Sequence, residues 1–479
     1  MKQTKIDNDE LAFHSLSFND ENGRLFEWQG NIYRAISSQQ TSLYQNLLKQ
    51  KVIEKLVSQN LLIDTELTPL KVENYEIVLK HRRINFVSYP KEWSGAMLKD
   101  AALLHLDLCI ELARYGLITA DANPLNVLFD DCQPIFIDLG SIEEISPDKH
   151  AWWSASDQFY RCFINPLKLM SQDRGRIARW LMHDYEQGVL NEDVAALDRS
   201  LLNVFKQHSR RWLKSMPNIS DTVIPLAKKI SNRTKSIPVF SNQPSSRQSF
   251  YQQLRQEVTD IEPAYLPPQE PDFEYEAMKP NLTISDRAEQ LRAVDSTLSR
   301  LQPATVLVMG NNDSDGTYAK LAAKNSQVVF FSPNEANVTQ VYLNSKQNRL
   351  PILPVLINFA SPSHDLSNDW YNSASDRFKC DLVIAVNLID WLVFRQYLPF
   401  DRIAERLARF CDRWLLIEFV TPQNIDTTHL SPDLKWIFSW YSLDNLIAAL
   451  SKKFDCVDVC DQYSQNSVLL LCSNYPVNT

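Results

Sequence analysis

Two aspartates and an asparagine in the stretch ITADANPLNVLFDDCQPIFIDLG, residues 118–140, are the residues best suited by type and spacing to do chemistry. Asn126 follows Asp121 by five positions, and Asp138 comes after two strand-like runs, NVLF and PIFIDLG, that join at Asp130-Asp131. Phosphoryl transfer needs a carboxylate to orient the attacking hydroxyl and hard oxygen ligands to hold magnesium on the phosphates. Because a short hairpin would return Asp138 beside Asp121 and Asn126, the pattern predicts a phosphate-handling site.

This pattern resembles the catalytic loop and the Asp-Phe-Gly element of protein and small-molecule kinases. The resemblance implies that Asp121 is the catalytic base, that Asn126 and Asp138 are metal ligands, and that the cofactors are ATP and Mg²⁺. Arg34 in IYRAI stands where kinases carry their phosphate-binding lysine, and Glu54 is its candidate partner, so both are assigned to nucleotide binding. No GxGxxG loop precedes Arg34. The alternative is that these polar residues only cap turns and end a strand.

A second candidate site lies in TVLVMGNNDSDGTYAKLAAK, residues 305–324. An apolar strand, a loop containing Gly310 and Gly316, and a helix follow one another there. In doubly wound sheets this arrangement presents backbone N–H groups to a nucleotide-like ligand at the carboxyl edge of the strands. The sequence therefore predicts a cofactor site in its C-terminal half.

The loop resembles motif I of class I S-adenosylmethionine methyltransferases. From about residue 85 to about residue 425 the chain is also similar to a bacterial family of class I methyltransferases related to nodulation-type proteins. S-adenosylmethionine is then the implied cofactor. The residues that the resemblance assigns to binding it are Gly310, Asn312, Asp313, Gly316, Ser332, Asn334, Asn358 and Asn387.

This sequence departs from the methyltransferase pattern at its acidic positions. Val308, Ser332 and Asn358 stand where such enzymes have carboxylates, and Asp390-Trp391 replaces a paired histidine. Asn334 and Glu335 are close enough to Ser332 to supply the ribose contact instead. Since a hydrogen bond to a charged group contributes about 1.5–3 kcal/mol, these changes predict weaker cofactor binding than in an enzyme with all three acids.

The elements around the two motifs predict two different folds. An N-terminal α+β kinase-like domain, residues 1–232, is followed by a proline- and serine-rich connector with a short helix, residues 233–280. Residues 281–479 form an α/β Rossmann-like, class I methyltransferase domain, since apolar strand patterns alternate there with helices. FDCVDV and SVLLLC are expected to close its sheet as an antiparallel pair.

Composition excludes several other classes of protein. At 44% hydrophobic and 22% charged residues, the chain can form ordinary globular cores. A net charge of −9 argues against nucleic acid as a partner, and no stretch is apolar enough to cross a membrane. Eight scattered cysteines without CxxC pairs indicate buried thiols, so we expect a cytoplasmic protein.

The sequence therefore predicts a two-domain transferase that methylates a small metabolite, sugar or peptide precursor. Its N-terminal domain would phosphorylate or bind the same substrate. The alternative is a kinase-like enzyme, or a binding or scaffold protein, whose methyltransferase domain no longer binds S-adenosylmethionine. Whether the protein is a homodimer or acts with a partner protein stays open.

Overall fold

The computed structural model describes residues 4–6, 11–14, 17, 22–145, 153–197, 244–264, 283–310, 315–361, 371–420, 440–464 and 467–474. The chain forms two compact units whose residues alternate along the sequence. The first unit comprises residues 1–83, 98–127 and 135–264, and the second comprises residues 84–97, 128–134 and 265–479. The parts of the predicted connector at 233–243 and 265–280 lie outside the described residues.

The first unit contains a five-stranded antiparallel sheet. Its neighbouring strands follow the order β2-β3-β4-β7-β5. The strands that precede residue 84 are β1 (Thr4–Lys5), β2 (Ala12–Phe13), β3 (Gly23–Trp28), β4 (Asn31–Ile36), β5 (Thr65–Leu67), β6 (Leu70–Lys71) and β7 (Ile77–His81). Gln29 and Gly30 both have positive φ between β3 and β4, which is the two-residue turn that suits the twist of a hairpin. The segment GRLFEWQGNIYRAI predicts a hairpin with its turn at Gln29-Gly30, and the structure confirms it.

The apolar spacing in SLYQNLLKQKVIEKLV predicts one helix before β5, but the structure has two helices there. These are α1 (Thr41–Lys49) and α2 (Val52–Ser58), separated by Lys51 with φ of 57°. The last buried residue of α1 is Leu47, and the first of α2 is Val52. At about 100° per residue, five positions would rotate the second apolar stripe well away from the first in a continuous helix. The break at Lys51 lets both stripes face the core.

The polar motif of residues 118–140 follows the longest helix among the described residues. This helix is α3 (Gly95–Ala113). The segment MLKDAALLHLDLCIELARYG predicts a helix that ends at Gly116, and the φ of 70° at Gly116 confirms it. The elements after α3 are β8 (Leu117–Thr119), β9 (Val127–Asp130), β10 (Gln133–Phe136), β11 (Ile142–Glu144), α4 (Ser156–Phe159), α5 (Asn165–Met170) and α6 (Gly175–Leu181). β9 and β10 form the predicted hairpin, although its turn lies at residues 131–132.

The helix predicted within the connector is α7 (Pro244–Asp260), and it belongs to the first unit. Tyr251 on α7 is fully buried and packs edge-on against Trp153. Arg255 donates to both carboxylate oxygens of Asp107 on α3, at 2.6 and 3.2 Å. Residues 244–264 are therefore part of a packed core in the first unit.

The second unit contains a seven-stranded sheet with the order β14-β13-β12-β15-β16-β18-β17. Its strands are β12 (Thr305–Met309), β13 (Gln327–Ser332), β14 (Ile352–Leu356), β15 (Cys380–Ala385), β16 (Cys411–Val420), β17 (Cys456–Ser464) and β18 (Ser467–Ser473). Its helices are α8 (Ile284–Leu301), α9 (Thr317–Ala322), α10 (Glu335–Asn348), α11 (Ala374–Arg377), α12 (Phe400–Phe410) and α13 (Leu443–Leu450). The first five strands run parallel, and β18 is antiparallel to both β16 and β17. The predicted Rossmann-like half and its antiparallel closing pair are confirmed.

Two short segments from the N-terminal half complete this second unit. Residues 84–97 and 128–134 pack with it, and Trp93 and Tyr342 both stack edge-on against Phe129. The side chains of Glu92 and Arg377 form a buried double hydrogen bond, at 2.9 and 2.6 Å, and are 0% and 4% exposed. Arg377 also donates to the carbonyl oxygen of Val87 and lies over the ring of Tyr89. Residues 84–97 are thus fastened to the second unit by charge as well as by packing.

All eight cysteines are free, and six of them are buried. Among the described residues, no helix is long and apolar enough to cross a membrane.

We predict that Glu92→Gln destabilises the second unit by about 3–5 kcal/mol, because it leaves the buried guanidinium of Arg377 without a counter-charge. Chemical denaturation measures this loss. The matched control is Glu289→Gln, which removes an exposed partner of Arg292 and should change stability by less than about 0.5 kcal/mol. Equal effects of the two substitutions would contradict the prediction.

Candidate functional site

Four of the predicted cofactor-binding residues lie along one edge of the seven-stranded sheet. Asn358, Asn334, Gly310 and Asn387 follow β14, β13, β12 and β15, which are neighbours in this order. Because these strands are parallel, their carboxyl ends meet at the same edge, which is where doubly wound sheets bind ligands. The three asparagines are half-exposed there.

The two glycines of the loop after β12 lie where a larger side chain would collide. A Cβ atom on Gly310 would lie 2.0 Å from the ring of Phe330. Gly316 has φ of 66°, and a Cβ atom there would lie 2.7 Å from a methyl group of Val341. The loop backbone is therefore held close to β13 and α10. Asn312 and Asp313 lie outside the described residues.

Polar side chains at and after the end of β13 accept hydrogen bonds from backbone N–H groups. Ser332 is fully buried, and its hydroxyl accepts a hydrogen bond from the N–H of Asn334 at 3.2 Å. Oδ1 of Asn334 accepts from Ala336 N–H and so caps α10. Oε1 of Glu335 accepts from the N–H of Gly95, the first residue of α3, at 3.1 Å. Ser332 and Glu335 therefore serve backbone groups, and the amide nitrogen of Asn334 is the group left to face a ligand.

Asn358 and Asn387 hold the next two loops of this edge. Oδ1 of Asn358 accepts from Ala360 N–H at 3.0 Å. Asn387 has φ of 54°, a left-handed conformation that asparagine tolerates better than most residues, and its N–H donates to Glu418 at 2.9 Å. Both residues therefore shape backbone turns at the predicted site.

A buried polar network adjoins Asn387. Glu418 on β16 is 1% exposed and accepts from the side chain of Gln290 on α8 at 2.8 Å as well as from Asn387. The hydroxyl of Tyr318, in the first turn of α9, donates to the other end of the Gln290 amide. These hydrogen bonds join α8, α9, β15 and β16 next to the glycine loop. The sequence motifs do not indicate this network, although a carboxylate inside the apolar strand LLIEFV is a signal, since buried charges need specific partners.

These residues fit S-adenosylmethionine in part. The sheet edge supplies a close-packed glycine loop and amide groups for hydrogen bonds. It supplies no carboxylate after β13, where Ser332 is buried and Glu335 faces Gly95. Val308, at the position of the other absent acid, lies in the core at 1% exposure.

In the first unit the structure brings three predicted residues together. The side-chain amide of Asn126 donates to Oδ2 of Asp121 at 3.1 Å, and the main-chain carbonyl oxygen of Asn126 accepts from Ile137 N–H, beside Asp138. Oδ1 of Asp121 accepts from Asn123 N–H at 2.9 Å. Asp121, Asn126 and Asp138 are therefore neighbours, as the hairpin pattern predicts.

Arg34 joins this group, but Glu54 does not. Nη2 of Arg34, which is 3% exposed, donates to Oδ1 of Asp138 at 3.2 Å. Glu54 is exposed on α2 and pairs with Lys51, three residues before it on the same helix surface. The predicted pairing of Arg34 with Glu54 is therefore wrong, because the first turn of α2 presents Glu54 to solvent.

His81 lies on the same sheet face as Arg34. Ile32 pairs with His81 and Arg34 with Leu79 across β4 and β7, and residues two apart on a strand share a face. The Thr65 hydroxyl donates to the carbonyl oxygen of Ile63, so it accepts from Nδ1–H of His81, and Nε2 of His81 carries no proton. Burial, and then the charge of Arg34, lower the pKa of His81 to about 3. The ring is therefore neutral beside Arg34.

The kinase resemblance implies magnesium on Asn126 and Asp138, and the donor set fits it poorly. Oδ1 of Asp138 already accepts from Arg34 and from Gly140 N–H at 3.1 Å. The guanidinium of Arg34 therefore lies next to the Asp138 carboxylate, where a bound magnesium ion would have to lie. Across the described part of the chain, no group of three or more His, Cys, Asp or Glu side chains could hold a metal ion.

Comparison with known proteins gives one curated relative and several solved structures. No family model matches the sequence. Nodulation protein NoeA from Rhizobium meliloti (strain 1021) is 26% identical over 451 residues, which cover 91% of each protein.

Among solved structures, the bifunctional kinase-methyltransferase WbdD matches with a TM-score of 0.29 and 16% identity, covering 40% of this chain and 39% of its own. N-methyltransferase NodS from Bradyrhizobium japonicum WM9 matches with a TM-score of 0.27 and 10% identity, covering 39% of this chain and 94% of its own. Magnesium protoporphyrin IX methyltransferase from Synechocystis PCC 6803, solved with bound SAH, matches with a TM-score of 0.27 and 14% identity, covering 41% and 89%.

The strand order and strand directions of the seven-stranded sheet identify the fold of the second unit. Counted from β12, the strand order is third, second, first, fourth, fifth, seventh, sixth, and only the seventh strand runs antiparallel to its neighbours. This is the order of the class I methyltransferases that the sequence resembles. The second unit has a class I methyltransferase-like fold.

We predict that Gly316→Ala destabilises the second unit by about 2–3 kcal/mol, since it adds a clash with Val341 to the cost of positive φ. Gly116→Ala is the control, because φ there is 70° but nothing lies within 4 Å of the added Cβ. It should cost only about 1 kcal/mol. Chemical denaturation compares the two, and equal losses would show that the loop is not close-packed.

We predict that His81 makes the first unit less stable in acid. Below pH 6.5 the unfolded chain binds a proton at His81 that the folded chain, with a pKa of about 3, does not bind. Between pH 6.5 and pH 5 the unfolding free energy should therefore fall by about 1.6 kcal/mol through this residue. Over the same pH range, the unfolding free energy of His81→Gln, measured by chemical denaturation, should fall less than that of the wild type by this amount. An equal fall in both proteins would contradict the prediction.

Proposed function

We propose that the second unit is an S-adenosylmethionine-dependent methyltransferase. The observation that carries this proposal is the row of Asn358, Asn334, Gly310 and Asn387 along the carboxyl edge of a sheet with the methyltransferase strand order. The 26% identity with nodulation protein NoeA extends over both units. We therefore infer that both units take part in the same function. We infer a small metabolite, sugar or peptide precursor as the acceptor.

When bound, S-adenosylmethionine supplies an electrophilic methyl group on its sulfonium. The chain's own residues would hold it mainly through neutral groups. Asn334 offers its side-chain N–H donors to the ribose oxygens, since its Oδ1 is engaged by α10. Asn358 would contact the adenine, and the glycine loop would let the backbone approach. Neutral hydrogen bonds contribute about 0.5–1.5 kcal/mol each, so we expect binding weaker than in enzymes that use carboxylates.

For the first unit we propose substrate binding, with phosphotransfer from ATP at Asp121 as the other candidate. The cluster of Asp121, Asn126 and Asp138 favours a site of some kind, because Asn126 bonds to Asp121 and its main chain accepts from Ile137, next to Asp138. The ion pair of Arg34 with Asp138 favours binding over magnesium-dependent chemistry. In a protein that binds substrate without catalysis in either unit, the same residues would form a scaffold.

We predict that the wild-type protein binds S-adenosylmethionine in calorimetric titration and that Asn334→Ser weakens this binding about tenfold, or about 1.4 kcal/mol. Serine can still cap α10 with its hydroxyl but lacks the amide donors. Asn348→Ser, on the exposed end of the same helix, removes only a bond to the Asn344 carbonyl oxygen and should leave the affinity within about twofold.

Two results would contradict the proposal in different ways. No binding of S-adenosylmethionine at millimolar concentration would remove methyl transfer and leave the scaffold reading. Binding that Asn334→Ser does not weaken would retain the methyltransferase but show that this asparagine only caps α10.

A further inference from the structure

The ion pair between Arg34 and Asp138 is partly buried in the first unit, with side chains 3% and 26% exposed, and both partners are fixed by the surrounding fold. Arg34 is held on β4 in the middle of the sheet, where it pairs with Leu25 on one side and Leu79 on the other. Its side chain is 3% exposed. A guanidinium held this way cannot move into solvent without disturbing the sheet face that carries it.

Asp138 is held as firmly from the other side. Its Oδ1 accepts from Gly140 N–H, the hydroxyl of Tyr44 donates to the carbonyl oxygen of Leu139, and the side chain of Asn22 donates to the carbonyl oxygen of Gly140. Tyr44 is itself buried on α1. The turn of residues 138–140 is therefore fixed by contacts from α1 and from residue 22, and Asp138 stays within reach of Arg34.

This arrangement opposes a divalent cation at Asp138. Magnesium requires carboxylate oxygens at about 2.0–2.1 Å in near-octahedral geometry. An ion on either oxygen of Asp138 would lie within a few ångströms of the Arg34 guanidinium, and like charges at that distance repel strongly in a partly buried site. Arginine stays protonated at every pH at which the protein is folded, so deprotonation offers no escape.

Asn126, the other metal ligand that the kinase resemblance implies, does not have Arg34 as its partner. Asn126 turns its amide nitrogen to Asp121, so its oxygen points away from that carboxylate. The repulsion from the Arg34 guanidinium therefore falls on Asp138. The conflict is confined to one carboxylate and one guanidinium.

We propose that Arg34 is an internal counter-ion that occupies the place of the divalent cation at Asp138, so that the first unit binds its ligand without a metal. Arg34 is in this sense a specificity-determining residue, because it decides which cation neutralises Asp138. The proposal is independent of methyl transfer by the second unit.

The test uses the full-length chain and Mn²⁺ as the probe, with bound metal measured by electron paramagnetic resonance. In the wild type, Asp138→Asn should leave Mn²⁺ binding unchanged, because Asp138 does not ligate a cation. Arg34→Met keeps an unbranched side chain in the core but removes the charge. It should create one new Mn²⁺ site that binds at least tenfold more tightly than the wild-type protein does. Adding Asp138→Asn to Arg34→Met should remove that site.

Arg82→Met is the matched control, because it breaks a more exposed arginine–aspartate pair with Asp64 in the same unit. It should create no Mn²⁺ site. Loss of Mn²⁺ binding in Asp138→Asn alone would overturn the proposal, since Asp138 would then already be a ligand. A folded Arg34→Met protein without a new site would also overturn it. If Arg34→Met does not fold, Arg34→Gln replaces it, and the comparison of wild type with Asp138→Asn decides separately.

Discussion

The second unit depends on the buried ion pair of Glu92 with Arg377. Removing two charges from water is costly, and the attraction between them offsets that cost only when geometry is good and the remaining donors are satisfied. Here Arg377 makes two hydrogen bonds to the carboxylate, and it also donates to the carbonyl oxygens of Val87 and Asn372. These contacts fix residues 84–97 against the sheet, and with them the N-terminal end of α3. The hydrogen bond from Gly95 to Glu335 then ties that end to the loop after β13.

At the carboxyl edge of the seven-stranded sheet, neutral side chains hold the loops in place. Ser332, Asn334 and Asn358 each satisfy a nearby backbone N–H, so the loops stay in place without a ligand. Neutral side chains at these positions remove the repulsion that clustered carboxylates would create at one sheet edge. The buried carboxylate of Glu418 is stabilised by hydrogen bonds from the side chain of Gln290 and the N–H of Asn387. Loop geometry and ligand affinity are thus partly separate properties of this edge.

The sequence was informative wherever local patterns determine structure. The turn at Gln29-Gly30, the end of α3 near Gly116 and the strands of the seven-stranded sheet follow from periodicity and turn chemistry. The break at Lys51 was missed because it depends on where two apolar stripes must point in the core. The partner of Arg34 was missed for a similar reason, since strand pairing and the hairpin of β9 and β10 bring Asp138 to it over 104 positions of chain. Glu418 was missed because a single charged residue in an apolar run does not reveal its partners.

The alternation of the two units along the chain has a consequence for synthesis on the ribosome. Residues 84–97 and 128–134 leave the ribosome early, while the last strand they depend on, β18, ends at Ser473. At about 5–20 residues per second, roughly 17–70 s separate the two events. During that time the apolar surfaces of Trp93 and Phe129 have no finished sheet to cover them. The second unit therefore completes its sheet only late in translation.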